Sequence, residues 1–147
     1  MAELVFTDCY FAIDDTSGSK VELSDHVKSV KVDYKAEIHD LTEMGDSSRA
    51  RYPGLKDWTM TVELFQDYAA DKTDAVAFGL IGSTTARSIG VRPVNTSIAA
   101  TNPQYQGNMY LESYSPCDAT VGELGTVTYN VVGSGTLSRL VVASSAM

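Results

Sequence analysis

Two histidines, two cysteines and nineteen Asp and Glu residues carry most of the proton, metal and nucleophile chemistry available to this 147-residue chain. Ser24-Asp25-His26 holds the three residue types of a hydrolytic triad. A triad is assembled in space, however, and neighbours along the chain rarely point at one another, so the segment reads as a turn with His26 at a strand start. His39-Asp40 and Asp14-Asp15 offer nitrogen and oxygen ligands without the number or spacing of a zinc or calcium site. His39 continues the polar side of a strand, and Asp14 to Gly18 reads as a hairpin turn. Cys9 lies in an apolar run and Cys117 follows Pro116, neither with a base beside it to draw off the thiol proton. Gly133-Ser134-Gly135 lacks the spacing and following helix of a phosphate loop. Tyr105, Tyr110 and Tyr114 lie in or beside one strand, with Tyr110 and Tyr114 expected on a shared face. Such rings would stack on sugars in a carbohydrate-binding module, or lie under another chain. No catalytic residue, cofactor or metal site is expected.

The formal charge of −8, with no basic run, argues against a protein that holds nucleic acid or an anionic membrane, because phosphate binding needs clustered Lys and Arg. No stretch approaches the roughly 20 apolar residues of a membrane span. Met1 to Leu4 does not open a signal peptide, which favours two free thiols and leaves a Cys9–Cys117 pair open. A 44% hydrophobic content is enough to build a core, and one domain over 1–147 is expected.

The elements follow from periodicity. Val5 to Ile13 reads as a strand, and Val21 to Ser24 as its short return. Val30, Val32, Tyr34, Ala36 and Ile38 then alternate with Lys31, Asp33, Lys35, Glu37 and His39, the period of a half-buried strand. Trp58, Met60, Val62 and Leu64 repeat the pattern, so the two strands should pair antiparallel with one packed and one wet face. Between them 40–56 reads as one long loop, beyond the usual hairpin length, yet it carries Met44, Tyr52 and Leu55. A loop with those side chains should order against something. A helix is predicted over 73–82, capped by Thr73 and stopped at Gly82. Further strands are expected over 88–94, 107–114, 126–132 and 137–142, and 143–147 should fray. The fold class is mainly β: an antiparallel sandwich or partial barrel of about seven or eight strands with one flanking helix.

Four ordered segments give this chain a family likeness. They are Leu41 to Arg49 leading through Gly54-Leu55-Lys56-Asp57-Trp58; Phe65-Gln66-Asp67-Tyr68 with Thr73 to Val76; Val91-Arg92-Pro93 with Thr101 to Tyr105 and Gly107; and Tyr114-Ser115-Pro116 with Val121 to Leu124 and Ser134 to Leu137. Together they resemble the tail tube (major tail) proteins of tailed phages with long non-contractile tails, over about residues 20 to 140. The resemblance implies a non-enzymatic virion protein, made in the host cytoplasm, whose rings of six copies stack into a hollow tube through which DNA passes without sequence-specific binding. It implies as partners further copies of the chain and the tape measure, tail terminator and tail tip proteins, with no membrane. It also matches the loop 40–56 to a segment that bridges subunits and rings. Arg49 and Arg51 would then meet acidic patches on a neighbour, and Met44, Tyr52 and Leu55 would anchor in apolar pockets. Asp33, Lys35, Glu37, Asp57 and Glu63 are the candidates for a lumen wall on which DNA slides. Alternatives are a head-decoration or baseplate protein, a secretion-system tube protein, or a carbohydrate-binding β-sandwich.

Overall fold

The computed structural model describes residues 4–142; the expectations for the first three residues and for the 143–147 tail lie outside them. The chain order is β1 (Tyr10–Asp14), β2 (Lys20–Glu22), a 3-10 turn (Ser24–His26), β3 (Val27–Asp40), β4 (Arg51–Phe65), α1 (Thr73–Leu80), β5 (Arg87–Arg92), β6 (Gln104–Tyr114), β7 (Thr126–Gly133) and β8 (Ser138–Leu140). All pairings are antiparallel in one open sheet of order β2-β1-β5-β6-β7-β4-β3, with β8 added beside β6.

The sheet curls around a single core. Phe11 and Ile13 from β1, Ile89 from β5, Met109 from β6, Tyr129 from β7 and the Trp58–Leu64 row of β4 join one buried cluster, and Val30 and Val32 of β3 pack against its margin. Strands from both ends of the sheet thus share one interior. Helix α1 lies over that interior through Val76, Ala77 and Leu80. Tyr129 donates its hydroxyl to the Thr73 carbonyl, Tyr114 donates to Asp74 Oδ1 at 3.0 Å, and Gly79 leaves room for the Thr16 methyl.

Several local expectations change. Thr73 does not cap the helix: Lys72 is the N-cap, with no side-chain cap bond. Buried Thr73 instead receives the Asp67 N–H at 2.8 Å and donates to Gln66 Oε1 at 2.7 Å, tying the start of α1 to the end of β4. The first strand begins at Tyr10, not Val5. A bulge between Leu111 and Ser113 separates the two tyrosines assigned to one face. Tyr114 turns inward, edge-on to Tyr129 at 6.1 Å, while Tyr110 stays exposed outside. One inserted residue reverses the side-chain phase beyond it.

The largest difference concerns 40–56. Only residues 41–50 lie outside strands; β3 continues to Asp40 and β4 starts at Arg51. Apart from that short tip, the region is a β-hairpin. Pro53-Gly54 sits inside β4 beside a second bulge, where Ala36 faces Lys56 but Ile38 faces Pro53.

Candidate functional site

The β3–β4 hairpin outruns the body. β4 pairs with β7 only from Thr59 onward, so Arg51 to Trp58 has β3 as its sole neighbour. Every residue from Asp33 to Asp57 is exposed, on both faces of the ribbon. Eight strand residues beyond the body correspond to about 26 Å of projection. A two-stranded ribbon with neither face covered is marginal in water, and it becomes stable by gaining a strand or a packing partner.

The side chains on this arm are not those of a solvated ribbon. Met44 is 106% and Leu55 81% exposed, and Tyr34, Ile38, Leu41 and Tyr52 are more than half exposed. Met44 and Gly45 form the centre of a turn closed by the Asp46 N–H on the Glu43 carbonyl, with Gly45 at φ 101°. Arg49 lies in the tip with Nη1 3.3 Å from Asp40 Oδ2. The hydroxyl and backbone N–H of Thr42, then Arg49, hold the Asp40 carboxyl below the ordinary carboxylate range. Arg51 and Tyr52 stand opposite Asp40 and His39, and Leu55 follows Gly54 in the bulge. All five loop residues singled out above are therefore on the arm, three of them in a strand.

Tyr34, Ile38 and Leu41 were not among them. Tyr34 and Ile38 continue the apolar phase of Val30 and Val32 past the end of the core. Alternation looks the same whether a face is covered by the chain itself or by a partner.

The polar candidates share the opposite face. Lys35 stands across from Asp57, Asp33 across from Thr59, and Glu63 across from Ser29. Lys31 Nζ lies 3.5 Å from Asp33 Oδ2, Lys28 Nζ 3.3 Å from Glu63 Oε1, and His39 Nε2 3.9 Å from Glu37 Oε1. These exposed pairs contribute little to stability. Asp33, Lys35, Glu37 and Asp57 ride on the arm, whereas Glu63 belongs to the body. Among the described residues nothing pairs with the outward edge of β3 along its 14 residues, a long template for another strand.

The residues considered for chemistry are otherwise engaged. Both ring nitrogens of His26 are taken, Nδ1 by Asp25 Oδ1 at 2.7 Å and Nε2 by Asp67 Oδ2 at 3.0 Å. Ser24 Oγ accepts the Phe11 N–H at 3.0 Å and donates to Glu22, so no nitrogen is placed to take its proton. Burial pushes the Cys9 thiol up, opposite to what a nucleophile needs, and both cysteines are free. Burial, then the Asp74 carboxylate, pushes the Tyr114 phenol up to about 12. Among the described residues no three His, Cys, Asp or Glu side chains gather into a metal site.

The His26 bridge has a pH signature. The His26 hydrogen bond is the main cause lowering the Asp25 pKa; for Asp67 the Ala69 N–H comes first and His26 second. A carboxylate with a lowered folded pKa stabilises fully above its unfolded value near about 3.9 and loses that contribution as pH falls through the folded value. His26→Gln should therefore lower Tm at and above about pH 5, with the gap to wild type narrowing toward pH 2. A gap independent of pH, read by thermal scans, would mean the bridge carries no linkage.

No family model and no curated protein matches this sequence. Solved structures do match in fold. A chain from the tail of an empty gene transfer agent particle, determined with C6 symmetry, superposes with a TM-score of 0.72 at 14% identity, covering 94% of this chain and 99% of that one. A chain of the SPP1 tail tube gives 0.71 at 12%, covering 97% and 82%. A chain of the sheath–tube complex of an extracellular contractile injection system gives 0.66 at 14%, covering 95% and 93%.

Proposed function

We infer that this chain is the subunit of a phage-type tail tube, built from stacked rings of copies of itself. The observation that carries this reading is the arm, a ribbon exposed on both faces and tipped with apolar side chains, which packing on another subunit would stabilise. The fold likeness to chains of tail tubes and of an injection-system tube complex supports it. The C6 symmetry of the gene transfer agent tail suggests rings of six.

In this reading the free edge of β3 continues into a neighbour's sheet, which removes a long edge that would otherwise pair without control. Met44, Arg49, Arg51, Tyr52 and Leu55 contact adjoining subunits. The polar face through Asp33, Lys35, Glu37, Asp57 and Glu63 lines the lumen. With Lys31 it carries two lysines and four carboxylates, net −2, so a DNA backbone would pass without being held. The role is mechanical and no residue is assigned a catalytic one. The tape measure, terminator and tip proteins are the further partners this role requires. An injection-system tube is the second reading, favoured by the likeness to the sheath–tube complex, and would use the same contacts. The bulge that parts Tyr110 from Tyr114 removes the flat aromatic platform of a sugar-binding module.

Negative-stain microscopy over a concentration series tests the reading. Stacked rings or tubes with an open lumen are expected. Protein that stays monomeric at its highest soluble concentration would sink it.

A further inference from the structure

The first strand is shorter than its sequence. Val5 to Cys9 carries the β-branched and aromatic residues of a strand, yet pairing begins at Tyr10. A bend at Thr7 and Asp8 turns the chain aside, and the Asn95 N–H pins the Asp8 carbonyl there at 2.8 Å. Beyond the bend Leu4, Val5 and Phe6 face water, Val5 80% and Phe6 69% exposed. Three large apolar side chains in a row have no solvated use.

The same segment borders a cleft. Phe6 to Cys9 form one rim of a space of about 790 Å³, and the start of β3, from Val27 to Tyr34, forms another. Half-buried Val30 and Val32 and buried Val91 belong to its apolar lining. The cleft therefore lies between the free edge of β3 and a stretch of strand-type residues that has not become a strand.

The chain already aligns these two rims. β1 and β2 run antiparallel with Ala12 opposite Glu22. The pairing extends one step, with the Leu23 N–H on the Phe11 carbonyl at 3.0 Å and the Phe11 N–H on Ser24 Oγ at 3.0 Å. Carried past the 3-10 turn in the same step, it lays Leu4 to Thr7 alongside Val27 to Val30. Directly opposed residues share a face, so Leu4 falls on the apolar face of Val30, and Phe6, two residues on, shares it. Four extended residues reach about 13 Å from the pinned Asp8.

We propose that Leu4 to Thr7 swings about Asp8 as a strap, zips antiparallel onto the free edge of β3 and keeps a second copy off that edge until assembly displaces it. This strap presupposes the tube reading, in which a neighbour pairs with that edge, and adds a restraint inside the subunit. Covering an edge is a common guard against uncontrolled pairing. A short tether gives the chain's own strap an effective concentration of about millimolar, so a single strand from another dilute copy loses the competition. A ring that offers several contacts at once wins it. A subunit whose edge is open only part of the time assembles less readily by that fraction.

Two variants test the strap, one lacking residues 2–7 and one carrying Phe6→Asp. The substitution sits at an exposed side chain and keeps the test open if the truncation harms folding. Hydrogen exchange is read first, at concentrations below those at which tubes form. Amides over 27–32 that face away from β4 should exchange about tenfold or more faster in both variants than in wild type. The concentration needed for tubes should then fall by about threefold or more. Equal exchange over 27–32 in all three proteins overturns the strap, and so does a variant that needs as much protein as wild type or more. Neither result touches the tube reading if wild type forms tubes. A wild type that never forms them removes the tube reading, while exchange in the monomer still reports whether the edge is covered.

Discussion

Replacing Glu37 to Leu55 by Asn-Gly, so that Ala36 turns directly into Lys56, should leave a folded monomer that builds no tube at any concentration. The cut falls at a register pair, so the two strands meet in the alignment they already have. Every removed residue is exposed, and the buried row from Trp58 onward is untouched. Tm should therefore stay within about 5 °C of wild type, since losing uncovered ribbon forfeits little of what stabilises the core. The expected loss of assembly is complete because the deletion takes Met44, Arg49, Arg51, Tyr52 and Leu55 together with the last four residues of the free β3 edge. Size-exclusion chromatography with light scattering, beside microscopy, would decide it. Tubes of normal length from this variant would show that the arm is not an assembly element. A large drop in Tm would mean the arm packs on its own body.

Trp58→Ala should destabilise the body by about 3–5 kcal/mol, a large part of the roughly 5–15 kcal/mol that holds a domain folded. Trp58 is 1% exposed at the root of the arm, where the last supported residue of β4 meets solvent. Its indole occupies space left by two glycines. A Cβ on Gly133 would stand 2.3 Å from Trp58 Cε2 and Nε1, and one on Gly107 2.8 Å from Cζ2. Gly133→Ala alone should cost about 1–3 kcal/mol by overpacking. In the Trp58→Ala background the same change should cost almost nothing, because its methyl then enters vacated volume. Urea denaturation of the four proteins closes the cycle. Additive costs would mean that Gly133 is needed for some reason other than the indole. Because β3 and β4 leave the body at this ring, loss of Trp58 should also loosen the base of the arm and lower assembly.

Much of the body was legible in the chain. Val30 and Val32, and Trp58 to Leu64, alternate with polar neighbours because one face of β3 and β4 meets a core there, and burial on one face of a strand writes period two into the residues. The helix was legible from its end signals, Asp74 in the first turn and the stop at Gly82, while its buried face of Val76, Ala77 and Leu80 was set by the sheet it covers. Thr73 looked like a cap because caps and buried hydroxyls use the same residue types, and only the approach of Gln66 and Asp67 tells them apart.

The arm shows where such reading stops. Apolar periodicity reports which face is covered, and a ribbon covered on neither face has nothing to report. The stretch from Asp40 to Lys56 therefore read as a loop, although its backbone pairs nearly to the tip. The bulges at Ala36/Ile38 and Leu111/Ser113 were invisible for a related reason. A single inserted residue costs little locally, and its place is set by what the strands on either side must pack against.

The sequence by itself determined a mainly antiparallel β-protein with one helix, an acidic surface without a credible catalytic group, and an unusual apolar content between Ile38 and Trp58. Composition and side-chain period follow from local burial, which each residue records on its own. Only the tertiary structure decided that this content rides on a projecting hairpin, that Tyr34 and Ile38 run out of core to cover, and that the segment before β1 faces the free edge of β3 across a cleft. Those are relations between segments dozens of residues apart, and they exist only once the sheet has closed around its core.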